Sequence, residues 1–167
     1  RWVPTSIREL TWTFMNKNLT ALKSAKGLHG IAHLVGFQPK NLAYILYGIP
    51  DGGKYTEFKI PKRSGGERTI RSPIPKLKHV QKRVAEHFSR CLSEIDELEG
   101  VERKCTLSHG FRSGLGISSN AAQHIHRRWV FNIDLKDFFP SINFGRVRGY
   151  FLKNKHFDLD EDSATIL

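Results

Sequence analysis

Two carboxylates stand three residues apart in VFNIDLKDFFPSI, residues 130–142: Asp134 and Asp137. Val130, Phe131 and Ile133 favour β structure, so the run predicts a strand that ends on Asp134. A strand end fixes the backbone and projects its side chain into a cleft. Hard divalent cations take oxygen ligands, so the short Asp134 side chain can hold Mg²⁺, and the Leu135 carbonyl can add a second oxygen. In two-metal phosphoryl transfer one ion activates the attacking oxygen and the other stabilises the leaving oxygen; Asp134 can bridge such a pair. The plainer alternative is an N-cap or turn residue, a role that suits Asp137 better still. Phe138 and Phe139 follow at once. Core packing is the plain reading of both rings.

Cations are the second chemical resource. The formal net charge is +11 over 167 residues. Such a surplus points to a polyanion, most often nucleic acid, with an anionic membrane surface as the rival. Nine Lys or Arg and a single acid, Glu67, lie between Lys59 and Arg83. A run of this kind is often only a solvated face. Here it is interleaved with strand and turn signals, which favours a docking surface. After Lys155 the sign reverses, with Asp158, Asp160, Glu161 and Asp162. His29 and His33 have the i, i+4 spacing of a zinc site, but the residues between them lack the glutamate of HExxH. Cys91 and Cys105 form no CxxC pair, which suits a reduced, cytoplasmic protein. No long apolar run, lipidation motif or secretory leader is present, so no membrane partner is expected.

The elements that must position these groups follow from periodicity. The chain is 39% hydrophobic and can bury a core. Residues 5–26 predict a helix with Leu10, Phe14 and Leu22 near one face; a second covers 29–35; a third starts at Pro39 and ends at Gly48. PDGG at 50–53 is a turn. YTEFKIP alternates as a strand, RSGG turns, and ERTIRSP returns as its partner. Leu77, Val80, Val84, Phe88, Cys91, Leu92, Ile95 and Leu98 recur at threes and fours, the mark of one long amphipathic helix. Residues 106–116 read as a Gly-rich loop. A helix from Ser118 or Ser119 carries NAAQHIHRR, and Asn120 and His124 would share its face. The strand of residues 130–133 follows, then a short helix over 144–153, and acidic residues open a last helix.

The ordered set resembles the fingers and early palm of reverse transcriptases, most closely the bacterial retron type. The resemblance rests on Lys59–Pro61 with Lys62, Gly65, Gly66, Arg68 and Ile70; on Pro73, Pro75, Leu77, Lys78 and Gln81; on His109–Arg112; and on Asp134 with Phe138, Phe139, Ser141 and Ile142. NAAQH, residues 120–124, matches the NAxxH signature of retron enzymes. Most of residues 55–150 is covered. The implied fold is α+β: a helical N-terminal region (1–54), fingers with a β-hairpin and long helix (55–128), and the incomplete beginning of a right-hand polymerase palm (129–167).

The resemblance implies an RNA-directed DNA polymerase that copies a structured noncoding RNA from dNTPs, with two Mg²⁺ ions, in bacterial antiphage defence. The RNA–DNA product and an effector protein are the further partners it implies. Asp134 would be catalytic and metal-binding, with the Leu135 carbonyl as a further ligand. Asp137 would lie near the nucleotide. The Phe139 ring would lie under the deoxyribose and exclude a ribose 2′-OH. Lys62 and Arg68 would reach over the triphosphate, with Arg63 competing for the part of Lys62; the planar Arg fork suits phosphate. RNA contacts fall to Lys76, Lys78, Arg112, Asn120, His124, Arg127 and Arg128. Asn120 and His124 can equally cap and pack their helix.

The sequence departs from the family pattern in two places. It carries no paired-aspartate motif of the YxDD kind, and neither the PQG segment that precedes it nor a thumb. The remaining metal carboxylates are therefore expected outside this chain, as in a fragment, half of a split enzyme, or a degenerate binding protein. The 167 residues alone are expected to be inactive. The alternatives are a group II intron or abortive-infection reverse transcriptase, or a non-catalytic RNA-binding fingers module.

Overall fold

A computed structural model describes residues 16–63, 65–101 and 108–167. In chain order the elements are α1 (Lys17–Ser24), α2 (Gly27–Val35), α3 (Pro39–Ala43), a π-helical turn (Tyr44–Gly48), a 3₁₀ turn (Asp51–Gly53), β1 (Tyr55–Pro61), β2 (Glu67–Pro73), α4 (Pro75–Leu98), α5 (Ile117–Ala122), α6 (Phe138–Ser141), α7 (Phe144–Lys153) and α8 (Glu161–Ile166). The mixture of helix and a two-stranded sheet agrees with the expected α+β class. Of the helix expected over 5–26, residues 5–15, with Leu10 and Phe14, lie outside the described residues, as do 106–107 of the Gly-rich loop and Ser64 of the hairpin turn.

The chain divides into two units, and the boundary falls inside α4. One unit runs from Ser24 to His87 and takes back Asp160–Leu167. Its buried core joins Ile31, Ala32 and Val35 of α2 to Leu42, Ile45, Leu77, Val80 and Ala164. Gly36 ends α2 in the left-handed region, at φ 77°, where an L side chain is strained. The Phe37 N–H then reaches back to the Ala32 carbonyl at 2.8 Å. The Arg83 guanidinium covers the same helix end, donating to the Val35 carbonyl at 3.1 Å. A cation there suits the helix dipole. Ser163, fully buried, ties α8 to the start of α2: its hydroxyl donates to the Ala25 carbonyl at 2.8 Å and accepts from the Gly27 N–H at 2.9 Å.

In the other unit Leu19, Leu22, Cys91, Ile95, Phe151, Phe157 and Leu159 are buried. Phe88 stacks on Phe151 at 5.1 Å between ring centroids, and Phe157 meets both rings edge-on. The buried Glu94 faces the N-terminus of α1 and accepts from the Asn18 and Leu19 N–H groups at 2.9 and 2.8 Å and from the Asn18 side chain. Helix N-termini leave four N–H groups without intrahelical partners, and one carboxylate satisfies two of them here. Burial pushes the Cys91 thiol up to about 12, with the Glu94 charge adding to the effect.

Three expectations need correction. The strand expected over 130–133 is absent: the segment is irregular, and the sole described sheet is β1–β2. A strand exists only through its ladder, and no described segment pairs with this one. Phe138, expected in the core, is about half exposed and opens the single-turn α6. The helix carrying NAAQH ends at Ala122. Beyond it the bonds run from Gln123 to Asn120, His124 to Ala121 and Arg127 to His124, each three residues back. Three-residue turns no longer align Asn120 with His124. At His126 the chain enters the left-handed region, at φ 62°, which ends any helical continuation.

Candidate functional site

The first group of candidate residues lies on the hairpin. Its register pairs Phe58 with Ile70, Ile60 with Arg68 and Glu57 with Arg71. Directly opposed residues share a face, so the two faces can be read off. One face carries charges that neutralise each other: Arg71 Nε meets Glu57 at 2.6 Å, and Lys59 Nζ meets Glu67 at 2.8 Å. The other face carries Phe58, Ile60, Ile70 and Arg68. No carboxylate pairs with Arg68 among the described residues. The chain turns through Gly65 and Gly66, both near φ 80–90°, a conformation that demands glycine. The Lys62 N–H donates to the Gly66 carbonyl at 3.0 Å and closes the turn. Ile60, Pro61, Lys62, Arg63 and Arg68 thereby line one concavity of about 340 Å³. The hollow thus brings Lys62, Arg63 and Arg68 together. Three cations around one hollow concentrate positive potential there.

In the other unit, the loop after α4 is anchored by Arg112, whose half-buried guanidinium pairs with Asp96. Its exposure is modest because it serves as a strut between loop and helix. His109 is buried and its Nδ1 lies 2.9 Å from the Ser119 hydroxyl, which also bonds the Gly116 backbone at the start of α5. The exposed Asn120 side chain lines a hollow with His109, Phe111 and Ile117. Phe111 is 96% exposed at φ 60°, a strained conformation for a bulky residue. It stands within the His109–Arg112 run on which the resemblance rests. Arg127 and Arg128 are exposed, and Arg128 lies over the Trp129 ring at 5.8 Å. Lys76 and Lys78 are exposed on the first turn of α4, and neither has a carboxylate partner among the described residues.

Asp134 is exposed in the irregular segment, and the Leu135 carbonyl takes part only in a long turn bond of 3.4 Å from the Phe138 N–H. Both oxygens are thus available to a ligand. A carboxylate and a carbonyl are the donor kinds Mg²⁺ takes, so the residues fit part of a magnesium shell. Among the described residues no three His, Cys, Asp or Glu side chains converge on one point. Asp137 sits at φ 53° and caps α6 through its carbonyl, which accepts from the Ser141 N–H at 3.0 Å; its carboxylate makes no capping bond. Phe139 is 69% exposed and meets Phe138 edge-on at 5.3 Å.

The chain is similar to known proteins. The retron Mx162 reverse transcriptase of Myxococcus xanthus is 36% identical over 151 residues, 89% of this chain and 28% of that protein. The chain belongs to the retron reverse transcriptase family. The retron Mx65 reverse transcriptase of the same organism is 41% identical over 95 residues, 57% of this chain and 20% of that protein. The retron Ec86 reverse transcriptase of Escherichia coli is 29% identical over 141 residues, 83% of this chain and 40% of that protein. The chain thus spans a fifth to two fifths of the length of these curated relatives. No family model and no solved structure matches it. No described helix is long and apolar enough to cross a membrane.

Proposed function

We propose that this retron family chain supplies the fingers, and the first metal-binding segment of the palm, of an RNA-directed DNA polymerase. The observation that carries the reading is the hollow of Lys62, Arg63 and Arg68, which has no carboxylate partner among the described residues, in a chain of this family. In the proposed enzyme Arg68 and Lys62 grip the triphosphate of the incoming dNTP. Asp134 and the Leu135 carbonyl hold part of the shell of two Mg²⁺ ions, which supply charge stabilisation to nucleotidyl transfer when bound. The other carboxylates of that shell come from outside the residues described. Asp137 lies near the nucleotide, and the exposed Phe139 ring is free to stack under the deoxyribose and reject a 2′-OH.

A structured noncoding RNA is the proposed template. Lys76, Lys78, Arg127 and Arg128 offer charge to its phosphates; Asn120 and His124 offer polar edges, Asn120 from α5 and His124 from the turn after it. Arg112 contributes through the loop it braces. A bacterial antiphage role, with the RNA–DNA product and an effector protein as partners in the cytoplasm, completes the proposal.

The test is RNA-primed DNA synthesis by the polymerising protein that contains this chain. Mg²⁺-dependent extension from dNTPs on an RNA template is expected. If the cations neutralise about five phosphates, affinity for RNA should fall roughly with the fourth power of salt concentration. Absence of extension together with salt-independent RNA binding would refute the reading.

A further inference from the structure

A second hollow lies in the unit that carries the hairpin, well removed in sequence from Asp134. It measures about 600 Å³, within the range of small-ligand pockets, and is lined by Phe37, Lys40, Asn41, Tyr44, Lys76 and His79 among others. No lining residue is acidic. Neither Lys40 nor Lys76 has a carboxylate partner among the described residues. The Lys76 ammonium instead rests over the Tyr44 ring, 5.4 Å from its centroid. His79 is held edge-on by Phe37 at 5.3 Å, so one wall is aromatic.

The backbone here is built unusually. The Ile49 N–H donates to the Tyr44 carbonyl five residues back, at 3.0 Å, which is a π-helical bond. Such turns are rare and concentrate at functional sites. Tyr44 opens the turn with its side chain 55% exposed. Gly48 closes it, and a Cβ there would meet the Tyr44 ring at 2.7 Å. Glycine at 48 therefore leaves room for the ring as it stands. A large exposed aromatic, held by its own backbone turn and flanked by two lysines without carboxylate partners among the described residues, is poorly explained by packing.

We propose that this hollow binds one unpaired nucleotide of an RNA strand. The base stacks on Tyr44 in the place the Lys76 ammonium now takes. Lys76, on its flexible stem, moves with Lys40 to the flanking phosphates. The Asn41 amide and His79 imidazole stand at the rim as hydrogen-bonding groups for the base edge. Stacking on an aromatic ring tolerates any base, and the lysines read only charge, so the site recognises single-strandedness before sequence. The choice of RNA rests on the proposed function; the shape and charge of the hollow do not.

The test uses the polymerising protein, a short fluorescein-labelled RNA without self-complementarity, and the same strand annealed to its complement. Tyr44→Ala is expected to weaken binding of the single strand about 5- to 150-fold, the equivalent of about 1–3 kcal/mol for one stacked base, and of the duplex less than about twofold. Tyr44→Phe should bind within about twofold of wild type, since stacking does not need the hydroxyl. Gly48→Ala keeps every lining side chain but displaces the ring, and should weaken single-strand binding in the same direction. Unchanged single-strand affinity in Tyr44→Ala, or an equal loss for single strand and duplex, would overturn the proposal. Extension by the wild type reports separately on the enzymatic reading. Extension without Tyr44-dependent binding removes the nucleotide site alone. Tyr44-dependent binding without extension removes the polymerase and leaves the site.

Discussion

Arg68 and Arg71 offer a test within one strand. They lie three residues apart on β2 and therefore on opposite faces of the hairpin. Arg71 is neutralised by Glu57 across the ladder, whereas Arg68 has no carboxylate partner among the described residues and lines the hollow with Lys62 and Arg63. Neither side chain is buried, so removing either should change folding stability by no more than about 1 kcal/mol. Function should separate them. A charge-assisted hydrogen bond to phosphate contributes about 1.5–3 kcal/mol, so Arg68→Ala should lower kcat/KM for dNTP about 10- to 150-fold. Because a triphosphate clamp acts in both ground and transition states, much of the loss should appear in KM. Arg71→Ala should stay within about threefold of wild type, since only an exposed ion pair is lost. The assay is single-nucleotide extension at varied dNTP, with thermal melting of each variant as the folding control. Equal losses in the two variants would refute the face assignment. A collapse of template affinity with unmoved dNTP dependence would make Arg68 a backbone contact instead.

Asp134→Asn should reduce synthesis by on the order of a thousandfold, about 4 kcal/mol, while RNA affinity stays nearly intact; near-normal extension would remove the metal assignment. Phe139→Val should raise incorporation of rNTP relative to dNTP, and an unchanged ratio in single-nucleotide assays would make the ring a packing residue. Glu94→Ala should destabilise the protein by about 3 kcal/mol in urea unfolding, because it strands the N–H groups of Asn18 and Leu19 at the start of α1. Burial alone would raise the Asp160 carboxyl, but the Ser163 N–H and the Lys26 ammonium hold it below its ordinary range. A depressed folded pKa gives stability that is complete above the unfolded value of about 3.9 and is lost as pH falls through the folded one. Asp160→Asn should therefore flatten the acid side of the melting-temperature profile below about pH 4, and an unaltered profile would refute that linkage.

Local order carried the sequence reading a long way. The strand-like run YTEFKIP, the turn RSGG with its two glycines and the returning run ERTIRSP specify a hairpin from local sequence alone. The observed register pairs the two runs end to end. The threes and fours from Leu77 to Ile95 describe one helix face, and α4 buries Leu77, Val80, Cys91 and Ile95 from it. The retron family was legible too, because spaced motifs survive in sequence whatever their packing. Tertiary structure decided what depends on partners. Val130, Phe131 and Ile133 have strand propensity, yet a strand needs a neighbouring ladder, and no described segment provides one. Asn120 and His124 have helical spacing, but i→i−3 bonds and a left-handed His126 end the alignment after Ala122. Charge counting could not say that Arg71 and Lys59 are neutralised across the hairpin while Arg68 is not, since Glu57 and Glu67 meet them only once the strands pair. Nor could it reveal the π-helical turn at Tyr44. A change of backbone bond from four residues to five leaves no periodic signature, and only the folded backbone shows the Tyr44 ring lying against Gly48.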